Sequence, residues 1–478
     1  MADKVVVIGA GLGGLSAAIH ARLRRFEVLV IEQQAVVGGK AQGIEQAGYA
    51  LDPGPSIIIM PEIYEAVFRA AGEDMANWLE FMPLETVSRV FFGEDVTLDI
   101  PANRAGALEV LRGLSSNDAE SLDRLLTRVE QVEPLLHSTI YAKPFTKPWH
   151  LMNPNLLKFG MKFNAVKPYR QMVDEMFEHP LVRSFFYGFP SYGGQSYDSI
   201  APGAFFIPYY MLCRGVYAVR GGVRAIPLAF RGLAEKLGVD FRLGTRVTGL
   251  QTTGSRVTGV ELGSEEVACE AVISNMDRFS LAQMLGRTVP AEPNFSYFTM
   301  HVGLRRQVDW LEHHNLFVPQ SFEQGFADLY ERNEFPAEPI VYVNATRKMD
   351  PDAAPPGCEN LFMVVTVPAD VAALDYQHRS DEYAQRVRNV LAKRGLQWTD
   401  DELDFCRIQT PTTFAQRDGS YMGSLYGLAE RYRLWKMFPE TNIDPEYSNL
   451  RHCGGSVQPG AGMPMVTLSG KFAAESLR

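Results

Sequence analysis

The chain opens with the stretch Val5-Val6-Val7-Ile8-Gly9-Ala10-Gly11-Leu12-Gly13-Gly14, which carries most of the information about its fold class. The β-branched run at 5–8 is typical of a strand buried on both faces, and residues 15–23 continue with the apolar spacing of a helix. Gly9 permits a tight turn, Gly11 lets the backbone approach a pyrophosphate, and Gly14 lets the helix pack close to the strand. The pattern predicts a dinucleotide-binding βαβ unit whose helix directs its free amides at the anion.

A carboxylate follows at the spacing that such a unit needs. A second predicted strand at 27–31 ends at Glu32, about twenty residues after the glycine loop, where its side chain can accept hydrogen bonds from a ribose diol. This position favours an adenosine without a 2′-phosphate. The alternative is a Rossmann-like unit that holds no ligand. The loop residues predicted to bind the dinucleotide are Gly9, Ala10, Gly11, Gly13 and Gly14.

A second motif separates FAD from NAD as the predicted cofactor. Gly38-Gly39-Lys40 is followed by Gly54-Pro55-Ser56, and the pair resembles the second motif of the flavoprotein group that includes amine oxidases, protoporphyrinogen oxidases and carotenoid desaturases. The resemblance implies FAD. It also implies that Gly39 and Lys40 wrap the pyrophosphate and ribitol, and that Pro55 and Ser56 lie near the isoalloxazine ring.

Two later segments are predicted to return to the same cofactor. After Gly221-Gly222 comes a predicted helix at 223–237, and then the predicted strands 240–243, 246–252, 256–262, 267–269 and 271–274. In the flavoprotein group, the segment equivalent to Thr245-Arg246-Val247 presents the backbone of Val247 to adenine. At the C-terminal end, the glycine-rich run 454–464 precedes a predicted helix at 466–477, which places Gly455 and Met463 at the flavin.

These segments predict an α/β fold with an FAD-binding Rossmann-like domain of the glutathione-reductase and amine-oxidase type, together with an α+β substrate domain. The FAD-binding domain is assembled from three segments, 1–101, 221–292 and 442–478. The substrate domain is predicted to take the rest, with a membrane-facing lobe at 102–220 and a further segment at 293–441.

Across nearly its whole length the sequence resembles the bacterial phytoene desaturase family, which comprises carotenoid desaturases and their oxidase and isomerase relatives. The resemblance rests on Asp52 with the Gly-Pro-Ser turn, on Arg220-Gly221-Gly222, on Pro356-Gly357 and on the ending Gly-Ser-x-x-Pro-Gly-x-Gly-x-Pro at 455–464. Three positions depart from the usual pattern. Gln458 stands where His is usual, Val219 where Pro is usual, and Ser56 where Thr is frequent.

The resemblance implies an FAD-dependent enzyme that desaturates a long isoprenoid or carotenoid precursor by hydride transfer to flavin N5. Carotenoid terminal oxidase and cis/trans isomerase are the alternatives within the family. An amine or porphyrinogen oxidase and a non-catalytic prenyl-lipid carrier are alternatives outside it. No catalytic acid or base is assigned, although His301, Asp198 and Tyr192 are conceivable. Candidates to line the substrate site are Phe185, Phe186, Tyr187, Phe205, Phe206, Tyr209, Tyr210 and Met211.

Composition excludes several other classes of protein. The chain has 478 residues, 46% of them hydrophobic, with a formal net charge of −10, which argues against nucleic acid as a partner. Its five cysteines are far apart, so neither a metal site nor a disulfide framework is expected. The short stretch before the first apolar run does not fit a secretory signal, and a cytoplasmic location is expected.

The segment 140–170 is the predicted contact with a membrane surface. It carries no acidic residue, so its local charge is positive although the net charge of the whole chain is negative. Its basic residues are interspersed with apolar ones. We therefore expect a peripheral position on the inner face of the plasma membrane, with a solvated basic lid as the alternative. The basic residues are Lys143, Lys147, Lys158, Lys162, Lys167 and Arg170. The apolar ones are Phe145, Trp149, Leu156, Leu157, Phe159, Met161 and Phe163.

Overall fold

A computed structural model describes residues 3–145, 147–163, 167–319, 322–369, 374–429 and 440–477. In these ranges the helices are α1 (Leu12–Leu23), α2 (Pro61–Ala70), α3 (Arg104–Arg112), α4 (Ser116–His137), α5 (Pro154–Phe163), α6 (Tyr169–Met176), α7 (Pro180–Tyr187), α8 (Phe206–Tyr209), α9 (Ala225–Lys236), α10 (Arg278–Met284), α11 (Phe322–Tyr330), α12 (Tyr376–Ala392), α13 (Pro411–Asp418) and α14 (Met463–Glu475).

The strands of the same ranges are β1 (Lys4–Ile8), β2 (Glu27–Ile31), β3 (Ile44–Gln46), β4 (Tyr49–Leu51), β5 (Phe81–Pro83), β6 (Thr86–Phe92), β7 (Val96–Pro101), β8 (Tyr217–Val219), β9 (Asp240–Arg242), β10 (Gly249–Thr253), β11 (Arg256–Leu262), β12 (Glu265–Ala268), β13 (Ala271–Ser274), β14 (Ser296–Leu304), β15 (His314–Val318), β16 (Val341–Ala345), β17 (Glu359–Val367), β18 (Leu403–Gln409) and β19 (Leu450–His452).

The first layer is a parallel sheet with the order β19-β13-β1-β2-β9. Its strands are rich in Val and Ile because both faces are covered. Val5 and Val7 face the helices α1, α9 and α14 and belong to their apolar core. Val6 and Ile8 point the other way and pack against the antiparallel strands β10, β11 and β12. The α/β class predicted from the sequence is therefore confirmed.

This sheet is built from distant parts of the chain. Its strands β1 and β2 lie near the N-terminal end, β9 and β13 in the middle, and β19 close to the C-terminal end. The predicted segment 1–101 also supplies β6 and β7 to a second sheet. The segment boundaries predicted at 101, 220, 292 and 441 stay predictions, and the ranges 102–220 and 293–441 include residues that lie outside the described ones.

The second sheet has the order β18-β14-β17-β16-β15-β6-β7 and is mostly antiparallel, with β15 and β6 parallel. Side chains on successive residues of a strand point to opposite faces. Phe298 and Met300 on β14 pack with α12 in one apolar core. Tyr297 and Thr299, on the same strand, line a large cavity instead. The alternation gives this sheet one structural face and one face toward a binding space.

Several predicted boundaries differ from the observed ones, and two of these differences have a local explanation. The strand predicted at 246–252 begins only at Gly249, because the backbone before it bonds to the loop after β2: the amides of Gly244 and Thr245 donate to the carbonyls of Gln34 and Glu32, both at 2.8 Å. The helix predicted at 466–477 begins earlier, at Met463, with Pro464 in its first turn, where the missing amide hydrogen costs nothing.

Candidate functional site

The glycine loop between β1 and α1 is folded as a close-packed turn. Gly9 has a φ of +93°, and its amide donates to the carbonyl of Ile31 at 2.7 Å. A Cβ atom on Gly14 would lie 2.0 Å from the carbonyl oxygen of Gly9, so only glycine lets α1 approach β1 this closely. The N-terminus of α1 has no side-chain cap and no acidic residue in its first turn, which leaves its amides available to an anion.

Glu32 closes the loop from the end of β2. Its Oε2 atom accepts a hydrogen bond from the amide of Ala10 at 2.7 Å, and its Oε1 atom accepts one from the amide of Gln34 at 2.9 Å. The side chain is 7% exposed, and this burial raises the pKa of the carboxyl above its usual range. Each oxygen retains a further lone pair, so the carboxylate can still accept a hydroxyl hydrogen from a bound diol.

The second glycine pair lies directly on the first loop. The amide of Gly38 donates to the carbonyl of Ala10 at 2.9 Å. A Cβ atom on Gly39 would come within 3.3 Å of the Cα atom of Gly11. Beside them, burial lowers the pKa of Lys40, while the carboxylates of Asp277 and Asp418 act in the opposite direction. The glycine loop at 9–14 and the glycine pair at 38–39 are separate in the sequence, and in the structure they form one surface.

A single cavity of about 1870 Å³ runs from this loop into the interior of the molecule. It brings together predicted site residues from all three segments of the predicted FAD-binding domain. Those that line it are Gly9, Gly11, Gly13, Glu32, Gly39, Lys40, Pro55, Ser56, Val247, Gly455 and Met463. Ala10 and Gly14 do not line it. Ala10 acts through its hydrogen bond to Glu32, and Gly14 through the packing of α1.

The Gly-Pro-Ser turn is fixed from two sides. Asp52, just before it, is buried, and its Oδ2 atom accepts a hydrogen bond from the amide of Val223 at 2.9 Å; burial raises the pKa of this carboxyl to about 6. After the turn, the Ser56 hydroxyl lies 2.6 Å from the hydroxyl of Tyr342 on β16. Asp52 therefore ties the turn to the Gly221-Gly222 element, whose role the sequence alone left unspecified.

Beyond the turn the cavity widens into a chamber with apolar walls. Of the residues predicted to line the substrate site, Phe185, Phe206, Tyr210 and Met211 line it. Phe186, Tyr187, Phe205 and Tyr209 are buried in the neighbouring core instead. The difference follows from the helices that carry them, because neighbouring residues of a helix point in different directions. The three residues named as conceivable acids or bases also differ in position. Tyr192 lines the cavity, whereas His301 and Asp198 do not.

Several residues of the cavity wall were not predicted from the sequence as site residues. Asn275 follows β13 directly, lines the cavity, and its Oδ1 atom would lie 2.7 Å from a Cβ atom on Gly11. Its position at the carboxyl end of a buried parallel strand is a signal that could have identified it. Tyr342 and His314 also line the cavity, and their hydroxyl and Nδ1 atoms are 2.7 Å apart. No local motif marks these two.

Two departures from the family pattern have structural roles here. Gln458 is 2% exposed; its Oε1 atom accepts from the amide of Phe145 at 2.6 Å, and its Nε2 atom donates to the carbonyl of the same residue at 3.1 Å. Val219 is buried on β8, which pairs with β5. Neither side chain lines the cavity.

The comparisons with known proteins agree with this architecture. The family model described as "Flavin containing amine oxidoreductase" matches residues 12–478. A "4,4'-diapolycopene oxygenase" from Methylomonas sp is 31% identical and covers 99% of this chain and 98% of its own. A "4,4'-diaponeurosporene oxygenase" from Staphylococcus aureus (strain bovine RF122 / ET3-1) is 30% identical and covers 100% and 98%.

Solved structures show the same fold at low identity. An oxidoreductase from Methanosarcina mazei has a TM-score of 0.66 at 15% identity and covers 99% of this chain and 100% of its own. A putrescine oxidase bound to putrescine has a TM-score of 0.60 at 15% identity and covers 99% and 98%. The predicted fold and the resemblance to carotenoid desaturases and oxidases are confirmed. The chain belongs to the flavin containing amine oxidoreductase family and is a flavin-dependent oxidoreductase.

Proposed function

We propose that this flavoenzyme holds FAD in the groove at Glu32 and oxidises a long acyclic carotenoid in the adjoining chamber. The observation that carries the proposal is the continuity of the cavity, which runs from the glycine loop past Ser56 to the apolar wall at Phe185. A hydrocarbon offers few polar handles, so an elongated apolar chamber is the kind of site that can select it by shape. The relatives named as diapolycopene and diaponeurosporene oxygenases support the same substrate class.

The residues present fit FAD. Uncapped amides of α1 suit the pyrophosphate, and the buried Glu32 carboxylate suits the ribose of the adenosine half. The residues that we propose to hold the cofactor are Gly9, Ala10, Gly11, Gly13, Gly14, Glu32, Gly39, Lys40, Pro55, Ser56, Val247, Gly455 and Met463.

When bound, FAD would supply the two-electron redox chemistry of the oxidation. The protein's own contribution is to orient a polyene in the chamber and to keep water away from it. Phe185, Phe206 and Met211 provide apolar wall, and the cavity-lining face of β14 provides the opposite side. Within the described residues no side chain is placed as an acid or base for the reaction.

Two reactions on a carotenoid remain to be separated. Desaturation, predicted first from the sequence, would remove a pair of hydrogen atoms from the chain. End-group oxidation would replace a C–H bond at a terminal carbon with a C–O–H group, with one oxygen atom taken from O2 and the other reduced to water by two protons and two electrons from an external reductant such as a reduced nicotinamide. The names of the two relatives favour end-group oxidation, because both call the enzyme an oxygenase and neither calls it a desaturase. We therefore propose end-group oxidation of an acyclic carotenoid, with desaturation as the second candidate.

Pigment analysis in engineered bacteria tests this proposal. The gene is expressed in strains that make phytoene, lycopene or their shorter analogues, and the pigments are separated and weighed by mass spectrometry. We expect a product with an added oxygen atom. A product that has only lost hydrogen would support desaturation instead, and an unchanged profile in every strain would contradict both candidates. A Glu32→Gln variant serves as the matched control for dependence on the flavin site.

We further propose that α5 forms the cavity's mouth at a membrane surface. Leu157 and Met161 on α5 line the cavity and are 52% and 78% exposed. Trp149 nearby along the chain is also exposed, whereas Phe145, Leu156, Phe159 and Phe163 are buried. An exposed apolar face beside the opening of an apolar cavity suits entry of a lipid-soluble substrate. No helix in the described part of the chain is long and apolar enough to cross a membrane.

The basic residues of this segment divide into two groups. Lys167 pairs with Glu175 at 2.7 Å, and Arg170 lies near Asp174 and Asp198. Lys143, Lys147, Lys158 and Lys162 are exposed, and no ion pair of theirs is present among the described residues. Residues 146 and 164–166 of the predicted segment lie outside the described ones. Attraction to anionic lipid is therefore proposed for the four lysines rather than for all six basic residues.

Sedimentation with vesicles tests the membrane contact. The protein should pellet with phosphatidylglycerol vesicles at low salt and much less with neutral phosphatidylcholine vesicles. Replacing Lys143, Lys147, Lys158 and Lys162 with Gln should abolish the preference. Replacing Lys167 and Arg170 with Gln, as the matched control, should leave most of it. Equal binding by both variants would contradict the assignment.

A further inference from the structure

Polar side chains gather on one part of the chamber wall, where the second sheet meets the Gly-Pro-Ser turn. We call this group the tyrosine cluster. It consists of Ser56, Tyr192, Tyr297, His314, Tyr342 and Tyr426, and every member lines the cavity. The remaining wall of the chamber is mainly apolar, with residues such as Phe159, Leu316 and Ile340. A hydroxyl group that is buried against a hydrocarbon without a hydrogen-bond partner costs free energy. This concentration of hydroxyl groups therefore favours a ligand that carries an oxygen atom.

Most members of the tyrosine cluster are hydrogen-bonded to one another. The hydroxyl of Tyr342 lies 2.6 Å from the Ser56 hydroxyl and 2.7 Å from the Nδ1 atom of His314. The hydroxyls of Tyr297 and Tyr426 lie 2.6 Å apart. Asn344, behind the cluster, lies 3.4 Å from the same Nδ1 atom of His314. These bonds fix the orientation of the polar wall before any ligand enters.

Tyr192 differs from the other members. Its hydroxyl has no hydrogen-bond partner among the residues that the structure describes, although it interacts electrostatically with Tyr297 and Tyr342. Its side chain is 41% exposed and lines the cavity. Its exposed surface faces the cavity, and burial raises the pKa of the hydroxyl above its usual range. The hydroxyl is thus available to a molecule bound in the chamber.

The consequence for substrate choice follows from the cost of an unmade hydrogen bond. A hydrocarbon that fills the chamber removes water from the Tyr192 hydroxyl and offers nothing in exchange. A ligand with an oxygen atom at this point replaces the lost water. Sites built around such a group discriminate strongly against the analogue that lacks the partner atom.

We propose that the tyrosine cluster binds the oxygen atom of a polyene that carries a hydroxyl or aldehyde group at its end, with the hydroxyl of Tyr192 in direct contact. This inference rests on the proposed function and deepens it, because it adds polyenes that already carry oxygen at one end to the hydrocarbons of the proposed substrate class. Ser56, Tyr342 and His314 act as positioning residues for the polar wall.

Equilibrium binding of two probes tests the inference. Flavin-loaded protein in detergent micelles is titrated with an acyclic apo-lycopenal, which is an aldehyde, and with lycopene, which is the hydrocarbon. We expect at least about tenfold tighter binding of the aldehyde. We also expect the visible band of the bound aldehyde to move to longer wavelength, because a hydrogen bond to its carbonyl oxygen stabilises the excited polyene.

The Tyr192→Phe variant removes one hydroxyl and should bring the affinity ratio close to one and the band back toward its position in micelles. Tyr64→Phe is the matched control, because the Tyr64 hydroxyl is buried without a partner among the described residues and does not line the cavity. Flavin content at purification shows that each variant is folded. If the wild-type protein binds both probes equally or binds neither, or if Tyr192→Phe keeps the ratio, the inference is overturned.

The pigment experiment remains separate from this one. A protein that prefers the aldehyde yet changes no carotenoid in bacteria would keep the inference and contradict the proposed function. A protein that oxidises lycopene but shows no preference for the aldehyde would do the reverse. Wild-type binding alone decides the inference if the Tyr192→Phe variant fails to fold.

Discussion

At the scale of single residues, Glu32 has the sharpest role. Its two carboxylate oxygens accept hydrogen bonds from the backbone amides of Ala10 and Gln34, and the residue is almost fully buried. Glu32→Gln replaces one acceptor oxygen with an amide group that faces a donor. It also removes the charge that suits a ribose diol. We expect roughly tenfold to hundredfold weaker FAD binding, because hydrogen bonds to a charged group are the strong ones. Titration of the flavin-free protein with FAD by fluorescence measures this.

Glu27→Gln is the control for that measurement. Glu27 begins the same strand, β2, but its side chain is 57% exposed and lies at the opposite end of the strand from the loop. Its replacement should leave FAD affinity within a factor of about two. Equal FAD affinity in the Glu32→Gln variant and the wild type would refute the assigned role of the carboxylate.

At the scale of elements, the contact between α1 and α14 supports the cofactor loop. A Cβ atom on Gly470 of α14 would lie 2.1 Å from the carbonyl oxygen of Gly13 and 2.8 Å from the amide nitrogen of Ala17. Gly470→Ala must therefore push the two helices apart and move the loop with them. We expect a loss of about 1–3 kcal/mol in the free energy of unfolding, together with weaker FAD retention. Urea unfolding and flavin content measure the two effects.

Gly203→Ala is the matched control for Gly470→Ala, because a Cβ atom on Gly203 would meet open space and the backbone of Gly203 does not have a positive φ. This control should unfold within about 0.5 kcal/mol of the wild type. The idea that the α1 and α14 contact supports the loop fails if Gly470→Ala is as stable as Gly203→Ala and keeps its flavin.

At the scale of the whole molecule, buried histidines make stability depend on pH. Burial lowers the pKa of His20, His313 and His452 to about 4, and that of His301 to about 3. The unfolded chain, where histidine titrates near 6.5, therefore binds more protons below that pH, and unfolding becomes easier as the pH falls. At pH 5 each such histidine costs about 2 kcal/mol relative to pH 7.

Carboxyls whose pKa values are raised by burial, Glu32, Asp52 and Asp277, act in the opposite direction. The raised pKa of Asp52, about 6, lets the folded state take up a proton first as the pH falls through 6, which offsets part of one histidine's effect. We expect the four histidines to outweigh these carboxyls. Urea unfolding at pH 7 and pH 5, with excess FAD at both, should therefore show a lower midpoint at pH 5. A midpoint that is unchanged or higher would show that the carboxyls dominate.

Much of the groove that we propose for FAD could be predicted from the sequence, because its residues lie in short contiguous stretches. A tight turn, a close backbone approach and a carboxylate at a fixed spacing depend on local residue types such as Gly9 and Glu32, so no long-range information was needed to identify them. The β-branched run of the buried strand β1 was an equally local signal. The fold class followed, since a strand covered on both faces requires layers on either side.

Only the tertiary structure decided which side chains face the chamber. Phe185 lines it and Phe186 does not, although the sequence offers no distinction between two adjacent phenylalanines. Tyr192 and Tyr342 line the same cavity although 150 residues of chain separate them, so their approach depends on how distant elements pack. Side-chain direction is the sum of many weak contacts, and for that reason no local pattern in the sequence encodes it.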